Sequence, residues 1–238
     1  MQRWVDERRG GTVSLVPDRS FLARLTPDER RALEAGGRHR QFRVGQMLFC
    51  EGDHGHDVYV VLEGIIKVVT TAPSGQQVIL DLQTSGSLLG ELSAIDGQPR
   101  SASAEALTSI EVLVLPIDDF RHFLQCQPRA ATELLEVVAA RLRASSRRQL
   151  EFGSSDALTR LCRCLLAMVD RFGQVGDRDA RPKVQLPLGQ QDLAKLTGLS
   201  REAVVKGLRR LRELEWIETQ GRTIAILNLA EVEARATS

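Results

Sequence analysis

Nowhere in the 238 residues does a run of apolar residues approach the ~18 needed for a helix to cross a bilayer core. The first twenty residues, MQRWVDERRGGTVSLVPDRS, lack the apolar centre of a signal peptide. A cytoplasmic protein without a membrane partner is therefore expected. Cysteine is scarce: Cys50, Cys126, Cys162 and Cys164 are too few and too irregular for a disulfide framework. Cys162 and Cys164 fall in a helical pattern where i and i+2 face different ways, so they do not share a metal. His39, His54, His56 and His122 form neither HExxH nor a Cys/His zinc spacing, and no metal is expected. A glycine-rich ATP loop and a nucleophile elbow are also missing, so an enzyme is not expected. What is present is 42% hydrophobic residues, enough to fill the core of one large domain or two modest ones.

Net charge is only +1, but it is unevenly spread. Residues 1 to 140 carry 14 Lys+Arg against 19 Asp+Glu, whereas 141 to 222 carry 17 against 10. An acidic front and a basic back suggest two modules, the second with affinity for a polyanion.

The run from Gly90 to Ala104, GELSAIDGQPRSASA, sets a carboxylate and a guanidinium nine residues apart among small residues. Gly90 lets the backbone approach a ligand, Glu91 accepts from vicinal ribose hydroxyls, and Arg100 forks onto phosphate oxygens. Ser101 and Ala102 leave their N–H groups unobstructed beside the same anion, with the Ser101 hydroxyl in addition. A lone Glu/Arg pair would read as a solvated surface turn. The whole string resembles the phosphate-binding cassette of cyclic-nucleotide-binding domains, matching at Gly90, Glu91, Pro99, Arg100, Ser101 and Ala102 at that family's spacing. The resemblance implies that Gly90, Glu91, Leu92, Arg100, Ser101 and Ala102 hold a cyclic nucleotide.

From about Gln41 to Pro116 the chain alternates short apolar runs with glycine breakers, as in VYVVLEGIIKVVT at 58 to 70 and IEVLVLP at 110 to 116. Strands at roughly ten-residue spacing predict a compact β sandwich or barrel, and this stretch is similar to the β-roll of cyclic-nucleotide domains. A short helix is predicted over 118 to 128. A long one follows from Arg129 to about Phe152, free of Gly and Pro until Gly153, a candidate hinge. Within it Leu135, Val138, Leu142, Ser145, Gln149 and Phe152 recur at three- and four-residue steps, a coiled-coil seam. In the catabolite-activator branch of the resembled family a hydroxyl pair on the dimer helix touches the nucleotide base. By alignment along the helix that role falls to Ser145 and Ser146.

Beyond a charged loop at 174 to 183, Gln190 to Thr197 reads as a helix, Gly198 as a turn, and Ser200 as the N-cap of a second helix. That is the layout of a helix-turn-helix, whose second helix enters the major groove. Val204 and Leu208 face inward, while Arg201, Glu202 and Lys206 lead the outward face. SREAVVKGLRRLRELEWIE followed by GRTIAILN resembles the recognition helix and wing of the CRP/FNR regulators. The resemblance implies that Arg201 and Glu202 read bases, Lys206 reads a base or phosphate, and Gln191 touches the backbone. Lys206 stands where catabolite activators usually have Arg, and lysine lacks the planar fork, which loosens readout there. Arg209, Arg210, Arg212 and Arg222 read as phosphate attraction or solvated surface.

The expected fold is α+β: an extension at 1–19, a cyclic-nucleotide-binding β-roll at 20–128, a dimerisation helix at 129–153, and a winged helix-turn-helix at 154–238. The implied function is that of a homodimeric transcriptional regulator on a pseudo-palindromic double-stranded DNA site, controlled by cAMP. By resemblance RNA polymerase is a further partner, touched by the 174–183 loop. The hydroxyls of Ser101 and Ser145 donate or accept equally well, so cAMP and cGMP stay unseparated. A regulator of the same fold that senses haem, gas or redox state, or needs no ligand, is the alternative.

Overall fold

The computed structural model describes residues 20–72, 75–172, 183–185, 188–221 and 223–237, with 149–154 and 183–185 described by their backbone. The chain divides into two compact units between Ala144 and Ser145.

The first unit opens with α1 (Phe21–Arg24) and α2 (Pro27–Ala35). Eight strands follow: β1 (Arg38–Phe42), β2 (Met47–Phe49), β3 (Asp57–Glu63), β4 (Ile66–Thr71), β5 (Gln77–Gln83), β6 (Leu88–Leu89), β7 (Ser103–Ala106) and β8 (Ile110–Pro116). The short α3 (Glu91–Asp96) interrupts them, and α4 (Ile117–Cys126) and α5 (Pro128–Ser154) come after. The strands form two four-stranded sheets, ordered β1-β8-β3-β6 and β2-β7-β4-β5, antiparallel throughout.

The near-continuous apolar runs of β3 and β8 have a direct cause: both faces of that sheet are buried. Tyr59, Val61, Val112 and Val114 point into the core shared with Ile66, Ala104 and Ala106 of the other sheet. The alternate residues Val58, Val60, Leu113 and Leu115 meet the helices through Phe21, Leu33, Phe120, Leu134 and Val137. The two-residue period of a strand thus sorts one sequence run into two cores. Gly64 ends β3 at φ +90, where an added Cβ would lie 2.5 Å from the Ser109 carbonyl oxygen.

Residues 20–35 carry no helix in the sequence reading, although TPDE at 26–29 is a helix-start signal. Thr26 Oγ1 accepts from the Glu29 N–H at 3.2 Å, and Glu29 Oε2 accepts from the Thr26 N–H at 2.7 Å, a reciprocal cap. Arg129 on α5 clasps the same buried carboxylate through Nε at 3.0 Å and Nη2 at 2.6 Å, and Arg24 reaches Glu133 and Glu136. These ion pairs fasten the first two helices to α5. The long helix expected to stop before Gly153 continues through it to Ser154.

The second unit contains α6 (Ala157–Phe172), β9 (Lys183–Gln185), α7 (Gln190–Thr197), α8 (Arg201–Glu213), β10 (Ile217–Gln220), β11 (Thr223–Ile226) and α9 (Leu229–Thr237). The strands form an antiparallel sheet ordered β10-β11-β9. Asp156 starts α6 by accepting from the Thr159 N–H at 2.8 Å. Its carboxylate also pairs with Arg235 of α9, an element not read from the sequence. After α8 the chain reverses at Glu215, at φ 58, with Trp216 N–H on the Leu211 carbonyl and Glu215 N–H on that of Arg212. This is a Schellman turn with glutamate where glycine is usual. Burial pushes the Cys162 thiol up to about 11, so it stays protonated at neutral pH.

Candidate functional site

The cassette is assembled by the turn before β3, the end of β6 and α3. Gly90 sits in the left-handed region at φ +79 as the N-cap of α3 and offers its carbonyl inward. Arg100 is 4% exposed and donates from Nη1 to that carbonyl at 2.8 Å and from Nη2 to the Asp57 carbonyl. Its backbone is fixed as well, its N–H on the Asp53 carbonyl and its carbonyl on the Gly52 N–H. The guanidinium carbon lies 4.4 Å from the centre of the Phe49 ring, and Nε is buried without a hydrogen-bond partner.

Two glycines make room for this cation. A Cβ on Gly55 would lie 2.3 Å from the guanidinium carbon, and one on Gly90 2.3 Å from Nη1. Burial pulls the Arg100 pKa below its ordinary value, against the opposing pull of Tyr59, Asp57, Glu91 and Asp53. Among the described residues no carboxylate forms an ion pair with it. A buried cation held by neutral carbonyls and an aromatic face, with one donor unused, fits an anionic ligand group.

Glu91 is also buried, at 4% exposed, but Oε1 accepts from Arg141 Nη1 of α5 at 2.6 Å. Arg141 reaches the Leu88 carbonyl at 2.8 Å and Gln83 at 3.3 Å. The sequence reading of Glu91 as an acceptor for ribose hydroxyls did not include this arginine. A signal existed: Ala130, Leu134 and Val137 are the buried face of α5, and Arg141 is the next position on that face. Ala102 is buried, whereas Leu92 and Ser101 are exposed. Ser145 and Ser146 are exposed on α5 just past the division between the units. The side chains of Gln149 and Phe152, and residues 174–182 of the charged loop, lie outside what the structure describes.

In the second unit α7 and α8 form the helix pair read from the sequence. Gly198 turns the chain at φ 63, the Leu199 N–H meets the Ala194 carbonyl at 3.1 Å, and Ser200 Oγ accepts from the Ala203 N–H at 3.1 Å. Val204, Leu208 and Leu211 are buried, which leaves Arg201, Glu202 and Lys206 exposed on the other face. Gln191 is exposed at the start of α7. The Glu202 carboxyl is held below the usual carboxylate range by its own backbone N–H and by the Ser200 hydroxyl. Arg209 bonds Glu213 at 2.9 Å and Arg212 bonds Thr219 at 3.1 Å, so both are engaged on the protein. Arg222 lies outside the described residues. Gly207 was not singled out from the sequence; an added Cβ there would lie 2.7 Å from Leu161 Cδ2, so its absence lets α8 approach α6.

Comparison with known proteins agrees with both halves. Residues 39–126 match the cyclic nucleotide-binding domain family, and residues 159–235 match the Crp-like helix-turn-helix domain family. The chain is 30% identical over 195 residues to a CRP-like cAMP-activated global transcriptional regulator of Mycobacterium tuberculosis, covering 82% of this chain and 86% of the relative. Among solved structures, a CRP-family transcriptional regulator from Thermus thermophilus superposes with a TM-score of 0.70 at 26% identity, covering 84% of this chain and 97% of that one. FixK2 from Bradyrhizobium japonicum shares the fold, with a TM-score of 0.76 at 21% identity over 85% of this chain and 98% of its own. A cyclic nucleotide-binding domain followed by a Crp-like helix-turn-helix, together with a relative 30% identical over 82% of the chain, places the chain in the CRP/FNR family of DNA-binding transcriptional regulators.

Proposed function

We propose that this regulator works as a homodimer on a pseudo-palindromic DNA site and is switched by a cyclic nucleotide, cAMP, held in the β-roll. The observation that carries the reading is Arg100, a buried guanidinium with an unused Nε and, among the described residues, no ion-paired carboxylate. A cyclic phosphate supplies the missing negative charge. Glu91, with Gly90, Leu92, Ser101 and Ala102 around it, takes the sugar end, and Ser145 and Ser146 take the base. cAMP stands ahead of cGMP because the M. tuberculosis relative is described as cAMP-activated.

Dimerisation is argued from α5. Leu135 and Leu142 are 64% and 67% exposed, seven residues apart and beside the face that buries Leu134 and Val137. A second copy of the same helix covers such a stripe in register. Two-fold symmetry then sets two α8 helices on half-sites about one helical turn apart. Arg201 and Glu202 read base edges there, Lys206 a base or phosphate, Gln191 the backbone, and Ser200 holds the helix start. RNA polymerase is the further partner, and the cytoplasm the place of action. The working divisions are a β-roll over 20–128, the dimer helix over 129–153 and the DNA-reading part over 154–238.

A second reading is a regulator of this fold that acts without a cyclic nucleotide. It is favoured by the engagement of Glu91 with Arg141 and of both Arg100 terminal nitrogens with backbone carbonyls. Arg100→Ala separates the two. Under the first reading the variant stays a folded dimer and loses cAMP binding and cAMP-dependent DNA binding. Retained nucleotide affinity would remove Arg100 from the site, and unchanged DNA binding with no nucleotide response in either protein would favour the second reading.

A further inference from the structure

Every exposed residue of α8 carries a charge except Val205. Its side chain is 40% exposed, and among the described residues of the second unit Leu229 is the other large apolar side chain left open. The buried face of α8 is supplied by Val204, Leu208 and Leu211, so the packing of the helix does not use Val205. A β-branched residue is also a weaker helix former than the charged residues beside it. Neither packing nor propensity accounts for valine at this position.

Its place on the helix does. Val205 follows Arg201 by four residues and Glu202 by three, the spacings that make side chains neighbours on a helix surface. Helical side chains lean toward the N-terminus, so the Val205 methyls lie over the turn that carries those two residues. Arg209, one turn further on, bonds Glu213 at 2.9 Å in the opposite direction, and Val205 keeps its exposure.

In the major groove the apolar group that a base edge presents is the C5 methyl of thymine. A stiff, branched side chain meets it with little rotamer freedom to lose. Cytosine offers no methyl there and adds an amino donor that valine leaves unpaired. We propose that Val205 packs on a thymine methyl and is a specificity-determining residue, selecting a thymine beside the base pairs read by Arg201 and Glu202. The inference rests on the proposed docking of α8 in the major groove.

The test takes a palindromic site selected from random DNA by the full chain with cAMP. Each thymine of the half-site is replaced in turn by deoxyuridine, in both half-sites at once, which removes the methyl and leaves the pairing unchanged. Fluorescence anisotropy reads the affinities. At one thymine the wild-type protein is expected to bind about tenfold more weakly without the methyls, about threefold for each half-site. Val205→Ala is expected to bind the thymine and uracil forms of that site within about twofold of each other. Alanine is the better helix former, so α8 stays intact, and a ratio taken within one protein is unaffected by its folded fraction.

Preference for the selected site over scrambled DNA with no uracil effect, or a uracil effect undiminished in Val205→Ala, would overturn the role of Val205 and leave the docking of α8 standing. A selected half-site without thymine would do the same. Equal affinity for the selected and scrambled DNA would overturn the docking and the role of Val205 together.

Discussion

Arg141 and Glu91 stand fifty positions apart in sequence, and Arg141 Nη1 lies 2.6 Å from Glu91 Oε1. The pair joins the first turn of α3 to α5, so the buried carboxylate of the cassette is held by the helix that carries the exposed Leu135 and Leu142. Any movement of α5 along its axis alters what the buried carboxylate meets.

Arg141→Ala leaves Glu91 buried without its counter-charge and is expected to destabilise the first unit by about 2 kcal/mol. In the double variant with Glu91→Gln the loss is smaller than the sum of the two single losses, by about 1 kcal/mol. Urea unfolding followed by far-ultraviolet circular dichroism measures the cycle. Strict additivity would mean that the contact does not operate in solution.

Asp156 titrates well below the usual carboxylate range, from 3.8 down to about 2, first because the Thr159 N–H bonds it and then because Arg235 does. A depressed folded-state pKa contributes stability above the unfolded value that is lost as pH falls through the folded one. The docking of α9 on α6 is therefore expected to weaken between about pH 4 and about pH 2. Hydrogen exchange of the α9 amides across that range reads it. Asp156→Asn should abolish this step, and an identical acid profile in the variant would contradict the assignment.

Glu215 holds a left-handed conformation, φ 58, that L side chains adopt at a cost of about 1–2 kcal/mol. Glycine removes that cost while losing about 0.5–1 kcal/mol through the entropy of the unfolded chain. Glu215→Gly is thus expected to stabilise the second unit by up to about 1 kcal/mol. The fluorescence of the adjacent Trp216, in a Trp4→Phe background, follows its unfolding. Destabilisation would show that the glutamate side chain contributes something the backbone does not.

The local signals were legible in the sequence. Gln190 to Thr197, the Gly198 turn and the Ser200 cap were read correctly because each rests on neighbours a few residues away. The strands of the β-roll were legible for the same reason, as alternation broken by glycine. What was not legible depends on distant partners. Nothing near Arg100 announces that Phe49 will lie under its guanidinium or that Gly55 must lack a Cβ to admit it. Arg141 could be placed on the buried face of α5, but only the fold brings Glu91 beneath it. Gly207 reads as a weak point in a helix until Leu161 is seen against it. Gly153 reads as a break, yet α5 passes through it, because one glycine costs a long helix only about 1 kcal/mol.

The central claim, that a cyclic nucleotide meets Arg100 and sets DNA affinity, is tested most directly by titrating the full-length protein with cAMP by calorimetry. DNA affinity on a palindromic site is then measured with and without the nucleotide. The account predicts saturable cAMP binding and a rise in DNA affinity of about tenfold or more. No heat of binding, with DNA affinity the same in both conditions, would contradict it.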